Sequence, residues 1–256
     1  IILLRPISDD ILQIDSITKN VVFIRPMSNL ITQIDSVSRE IIFTRNATES
    51  INIVAQTWAD DNLKEGDVVL TTMSEHHANI VPWLQLKEKK GIKIEYIPLL
   101  ANGQVDVHHA YAMLDDHRVK LLTMVHVSNT LGTINPVKEL TEYAHKNNIC
   151  VLVDGSQALP HLKVDVQDIG CDFYTGTGHK MFGPTGIGFL WGKKDLLIGM
   201  KPFLGGGDMI HEVFVDSYKA NDIPHKFEAG TPHIAGAIGL GYAIDYINSV
   251  EHSFIE

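Results

Sequence analysis

Cysteine is nearly absent from this 256-residue chain, with Cys150 and Cys171 its only two. Each opens an apolar run of strand type, which predicts buried, reduced thiols rather than a disulfide framework and makes a reducing cytoplasm the expected compartment. Basic charge is also short. Lys and Arg number 21 against 31 Asp and Glu, a formal net charge of −10. The broad positive footprint that nucleic acid or an anionic membrane surface requires is therefore missing, and any anion must be bound locally. No apolar run nears the ~20 residues of a membrane-spanning helix, and the opening Ile1 to Leu4 is cut off by Arg5, too short for a signal segment. Metal and nucleotide motifs are missing too. There is no Cys-x-x-Cys, His-Glu-x-x-His or Gly-x-Gly-x-x-Gly, and Gly192-Lys193 is followed by Lys194 where a P-loop needs Ser or Thr. The adjacent pairs His76-His77 and His108-His109 point to different faces of a strand or helix.

What the chain does have is enough apolar residues, 45%, for one sizeable α/β core or for one large and one small domain. Residues 1–40 divide into two twenty-residue copies, IILLRPISDDILQIDSITKN and VVFIRPMSNLITQIDSVSRE, each reading as strand, turn and short helix. Their role is open. From Ile41 the pattern alternates. Strands are expected at 41–44, 67–72, 92–97, 119–127, 150–154, 171–176 and 186–191, and helices at 49–60, 79–89, 106–115 and 137–147. A mostly parallel seven-stranded sheet flanked by helices, with right-handed crossovers, follows for residues 41–256. The glycines at 205–207 open a less regular stretch, and 234–250 returns to a small-residue helix.

The run from Cys150 to Trp191 organises the rest. One strand ends on Asp154, the next in the loop 175–180 that carries Lys180, and ligands of open α/β sheets sit outside such carboxyl ends. An acid and an amine facing one pocket suit pyridoxal phosphate. The amine can form a Schiff base with the aldehyde, and the carboxylate can pair with the protonated pyridine nitrogen, keeping the ring an electron sink. Taken singly, each residue has a plainer reading: a lysine after a glycine loop is usually solvated, and an Asp ending a strand is often a cap. Thr48 reads as a helix N-cap, or as a hydroxyl at a helix start that can hold phosphate. His76 follows a strand and can lie over a planar ring or handle protons near neutral pH. Asn129 ends a strand and can donate to a phenolic oxygen, or form an Asx turn before Gly132.

Several motifs in one order resemble the class V aminotransferase family, and more narrowly its SUF-type (group II NifS-like) cysteine desulfurase and selenocysteine lyase branch. They are Ser74-Glu75-His76-His77-Ala78-Asn79, His126-Val127-Ser128-Asn129, Asp154-Gly155-Ser156-Gln157, Gly178-His179-Lys180, Gly183-Pro184-Thr185-Gly186-Ile187-Gly188 and Phe227-Glu228-Ala229-Gly230-Thr231-Pro232. The resemblance covers residues 41–256. It implies the large domain of a type I pyridoxal-phosphate transferase, with Lys180 carrying the cofactor and moving the substrate's α-proton, and His76 stacking on the ring. It assigns Asp154 to the ring nitrogen, Asn129 and Gln157 to the phenolic oxygen, and Thr48, Thr177 and His179 to the phosphate. Thr231 is implied to reach the phosphate of a partner subunit, making a homodimer. The implied reaction moves sulfur from L-cysteine, giving L-alanine, to an acceptor protein of the SUF system for iron–sulfur cluster assembly; selenocysteine is the alternative substrate, and a catalytically incomplete cofactor-holding scaffold the alternative role. Where the family usually reads Gly-Thr-Thr-Glu, this chain has Asn46, Ala47, Thr48 and Glu49. The family's persulfide cysteine and carboxylate-binding arginine belong to a C-terminal region that residues 1–256 do not match, so the chain is expected to be partial.

Overall fold

A computed structural model describes residues 40–250; the two repeat units, up to residue 39, lie outside the described residues. Seven strands build the sheet: β1 (Ile41–Thr44), β2 (Val68–Thr72), β3 (Lys93–Ile97), β4 (Val119–Val125), β5 (Cys150–Asp154), β6 (Phe173–Thr177) and β7 (Gly188–Gly192). Their order is β1-β7-β6-β5-β4-β2-β3. Strands β2 to β6 run parallel, while β7 is antiparallel to both β6 and β1. Two reversals restore direction, so β1 points the same way as β6. Its end, Thr44, is in register with Gly188, which is in register with Thr177. All the parallel strands and β1 thus deliver their carboxyl ends to one edge.

Apolar side chains alternate between the two faces, as the period of two requires. Val151 and Val153 of β5 join one core and Leu152 the other; in β6 Tyr174 and Phe173 divide the same way. The first face is covered by α3 (Val107–Leu114), α4 (Val137–Lys146), α5 (Val166–Ile169) and α7 (Ile234–Ser249), through Leu114, Leu140, Ile169 and Ile244. The second is covered by α1 (Ala47–Val54), α2 (Val81–Lys90) and α6 (Lys194–Gly199), through Ile51, Trp83 and Leu197. Burying each such aliphatic side chain contributes about 1.5–3 kcal/mol.

The sequence reading did not foresee α5 and α6, and its helix 49–60 is α1 continued by a π-helical segment, Ala55–Ala59. Helix α1 starts at Ala47, not 49, because Asn46 rather than Thr48 is its N-cap, accepting from the Glu49 N–H at 3.0 Å. The stretch after Gly205–Gly207 contains an antiparallel hairpin, β8 (Ile210–Val213) with β9 (Tyr218–Ala220). Its residues Val213, Phe214, Val215 and Tyr218 are exposed, so no alternation of buried and exposed positions marks it in the sequence. None of the helices among the described residues is long and apolar enough to cross a membrane.

Candidate active site at the carboxyl edge of the sheet

Asp154 is the last residue of β5, only 3% exposed, flanked in register by Val125 of β4 and Thr175 of β6. Its Oδ1 accepts from the Ser156 N–H at 2.9 Å and, weakly, from the Thr175 hydroxyl at 3.5 Å. Its Oδ2 takes no hydrogen bond among the described residues. That oxygen is left open to a donor from outside the chain, and a charge-assisted hydrogen bond there would contribute about 1.5–3 kcal/mol.

The turn after Asp154 is shaped from below. Tyr174 fills the space under Gly155 so fully that a Cβ there would lie 2.0 Å from the ring, which only glycine permits. The Tyr174 hydroxyl shares a 2.9 Å hydrogen bond with Nδ1 of His126, the residue that follows β4. Burial pushes the His126 imidazole down to about 4 and the Tyr174 phenol well up, so both stay neutral.

Lys180 ends the short 3₁₀ turn Gly178–Lys180 that follows β6, one strand over from Asp154. It is half-buried and has no hydrogen bond or ion pair among the described residues. The turn is held by the Gly178 N–H on Ile187 O and the Gly183 N–H on Gly178 O, and a Cβ at Gly178 would lie 2.7 Å from Ile187 Cγ2. Thr177 Oγ1 and His179 Nδ1 lie 3.0 Å apart, beside the lysine.

Backbone N–H groups without helical partners are available at the start of α1. The N–H groups of Ala47 and Thr48 open the helix, and the Thr48 hydroxyl is exposed with no partner among the described residues. Gly188 lets this helix start come close: a Cβ there would stand 2.7 Å from Asn46 Cα. His76, exposed, follows β2; its Nδ1 accepts from the Ala78 N–H at 3.1 Å, so the neutral ring carries its proton on Nε2. Asn129 is exposed in the turn after β4 and makes no side-chain bond there; the Ser128 hydroxyl instead accepts from the Thr130 and Leu131 N–H groups. Gln157 is half-buried three residues past Asp154. Eight of the nine residues singled out in the sequence therefore lie at or just beyond strand ends of one edge. Thr231 is apart, exposed on a loop that lines a cleft of about 330 Å³ whose other wall is Thr44, Arg45 and Glu49. That loop is tied to β1 by Glu228, which accepts from the Phe43 N–H at 2.8 Å.

Glu75 is the residue the sequence reading passed over. Its carboxylate bonds Thr72, Asn79 and the Val125 N–H, and the last partner is fifty positions away, beyond the reach of local pattern. Both cysteines are unsuited to nucleophilic work. Burial, then the neighbouring Asp172 charge, pushes each thiol up. No cluster of metal-ligating side chains occurs among the described residues.

An open acceptor at the end of β5 and an unpaired lysine just past the end of β6, with a helix start on the same edge, fit a cofactor that has a protonated ring nitrogen, an aldehyde and a phosphate. Residues 28–256 match the family model for class V aminotransferases. The chain is 50% identical over 205 residues to a probable cysteine desulfurase of Synechocystis, covering 80% of this chain and 49% of that one. It is 48% identical over 205 residues to a cysteine desulfurase of Haloferax volcanii, covering 80% and 48%. The fold superposes with a TM-score of 0.88 on the Escherichia coli cysteine desulfurase CsdA, at 37% identity over 97% of this chain and 61% of that one. The Thermococcus onnurineus cysteine desulfurase gives the same score at 34% identity, covering 97% and 60%. The chain spans about half the length of the relatives it matches in sequence. By its motifs, its fold and these matches, it belongs to the class V aminotransferase family.

Proposed function

We propose that this chain is the cofactor-binding part of a pyridoxal-phosphate-dependent cysteine desulfurase, which moves sulfur from L-cysteine and leaves L-alanine. The observation that carries the proposal is the juxtaposition of Asp154, buried with one oxygen open, and the unpaired, half-buried Lys180 in the turn that follows the next strand. When bound, the cofactor supplies an electron sink that acidifies the substrate's α-proton. Asp154 would hold the ring nitrogen. Lys180 would hold the cofactor through Nζ and, once released, move the α-proton. Asn129 and Gln157 are suited to the phenolic oxygen, and His76 to the ring face, with its proton on Nε2. Thr48, Thr177 and His179 would take the phosphate, helped by the N–H groups that open α1. Thr231 would complete a phosphate site across a homodimer.

The roles in iron–sulfur assembly, the SUF acceptor protein, a cytoplasmic location and selenocysteine as an alternative substrate belong to this same proposal. A cofactor-holding scaffold without turnover is the second reading, favoured by the upward pKa shift of both thiols. The two differ in one assay. The full-length gene product, given L-cysteine and a reductant, should release sulfide and alanine in equal amounts; no product, or pyruvate in place of alanine, would contradict the desulfurase reading. Residues 1–256 alone should release almost no sulfide, with no change in Cys171→Ala. Turnover by these residues that vanished in that variant would make Cys171 the sulfur acceptor and overturn the account of its thiol.

A further inference from the structure

Strands β2 and β4 part before they end. Their ladder stops at Leu70 and Leu122, yet the strands run on to Thr72 and Val125. The Glu75 carboxylate fills this opening. Oε1 accepts from the Val125 N–H at 2.9 Å and from the Thr72 hydroxyl at 2.6 Å, and Oε2 accepts from Asn79 Nδ2 at 2.6 Å.

The directions of the bonds from Val125 and Asn79 are forced. A backbone N–H only donates, and so does the indole N–H of Trp83, which gives its proton to Asn79 Oδ1 at 3.1 Å. Thr123 donates to that same oxygen at 2.6 Å. The Asn79 amide cannot flip, so its NH₂ must face Glu75. Asn79, Trp83 and Thr123 are all fully buried, which makes any mismatch costly. Two oxygens that both accept are demanded at position 75, and only a carboxylate offers them.

This clamp closes on the turn that presents His76. Glu75 precedes it, Asn79 closes the 3₁₀ turn His77–Asn79 after it, and the two are bonded to each other. The N–H that Glu75 grips belongs to Val125, the register partner of Asp154. We propose that Glu75 is a positioning residue for the cofactor: its carboxylate pins the His76 turn to the end of β4, setting the imidazole relative to Asp154. This rests on the pyridoxal-phosphate reading of the site. Burial raises the Glu75 carboxyl to about 7, against the lowering effect of its hydrogen bonds and with a smaller raising effect from the charge of Asp154.

The forced bond directions supply the test. In Glu75→Gln an NH₂ must face either the Asn79 NH₂ or the Val125 N–H. The double swap Glu75→Gln with Asn79→Asp restores every bond, because the amide introduced at position 75 then donates to a carboxylate whose other oxygen takes Trp83 and Thr123. Pyridoxal phosphate affinity and the ring ¹⁵N signals of His76 in the cofactor-free protein are measured for the wild type and both variants. Glu75→Gln should weaken affinity roughly tenfold or more and displace the His76 signals, as for one lost charge-assisted bond. The swap should recover the His76 signals and bring affinity back to within about threefold. Wild-type behaviour of Glu75→Gln overturns the proposal, and so does a swap that binds weakly or fails to fold; if Glu75→Gln itself does not fold, the swap decides. A wild type that binds no pyridoxal phosphate would instead refute the functional reading, and the His76 signals would still judge the role of Glu75.

Discussion

Acid should strike this fold at His126. The imidazole is 9% exposed, and burial lowers its pKa to about 4 from an ordinary 6.5. Between those values the unfolded chain binds a proton that the folded chain refuses, so stability falls as pH drops. Integrated between pH 7.5 and pH 4.5, the loss is about 2.5 kcal/mol, or roughly 5–10 °C in Tm for a chain of this size. The wild-type curve by itself conceals part of this. Glu75 runs the other way, since its raised pKa makes the folded state hold a proton between about 4.5 and 7 that the unfolded state releases, so stability grows on acidification there. The informative quantity is therefore the difference between the wild type and His126→Gln, followed by thermal unfolding across pH. Near pH 7.5 the variant should be less stable, having exchanged a ring packed against Tyr174 and bonded to its hydroxyl. By pH 4.5 the gap should have closed by the full amount. A difference that stays constant over that range would refute the reasoning, and would mean that the His126 imidazole is not held neutral by burial.

Two glycines at the site should respond differently. Gly155→Ala drives a Cβ into the buried Tyr174 ring and should lower Tm by several degrees even without cofactor, as an overpacked core costs about 1–3 kcal/mol. Gly188→Ala meets the Asn46 backbone at the start of α1, so phosphate held there should also weaken, measured as pyridoxal phosphate affinity against that of the dephosphorylated pyridoxal. A loss equal for both ligands would place the phosphate elsewhere.

The positions of the strands and a mostly parallel sheet could be read from the chain because each apolar run ends where the sheet ends, whereas the spatial order and the antiparallel β7 depend on pairings between distant strands. Asp154 closes β5, and Lys180 lies three residues past β6, so both sit at visible transitions from apolar to polar. Helix starts were legible only to within two residues at α1, since Asn46 and Thr48 are both cap formers and only the backbone decides between them. Glu75, Tyr174 and Gly155 carry no local signal. What matters about Glu75 is a bond to Val125, and what matters about Gly155 is a ring from the neighbouring strand. The parting of β2 and β4 is likewise a property of the sheet, since Thr71, Thr72 and Thr123 to Val125 are ordinary strand residues.

The central claim, that Lys180 and Asp154 together hold pyridoxal phosphate, is tested most directly by reductive trapping. The protein is incubated with pyridoxal phosphate, reduced with borohydride and digested, and the modified peptide is identified by mass spectrometry. The account predicts a single phosphopyridoxyl group on Lys180, and its loss in Lys180→Ala. Equal labelling of that variant, or a label spread over exposed lysines such as Lys89 and Lys138, would contradict it.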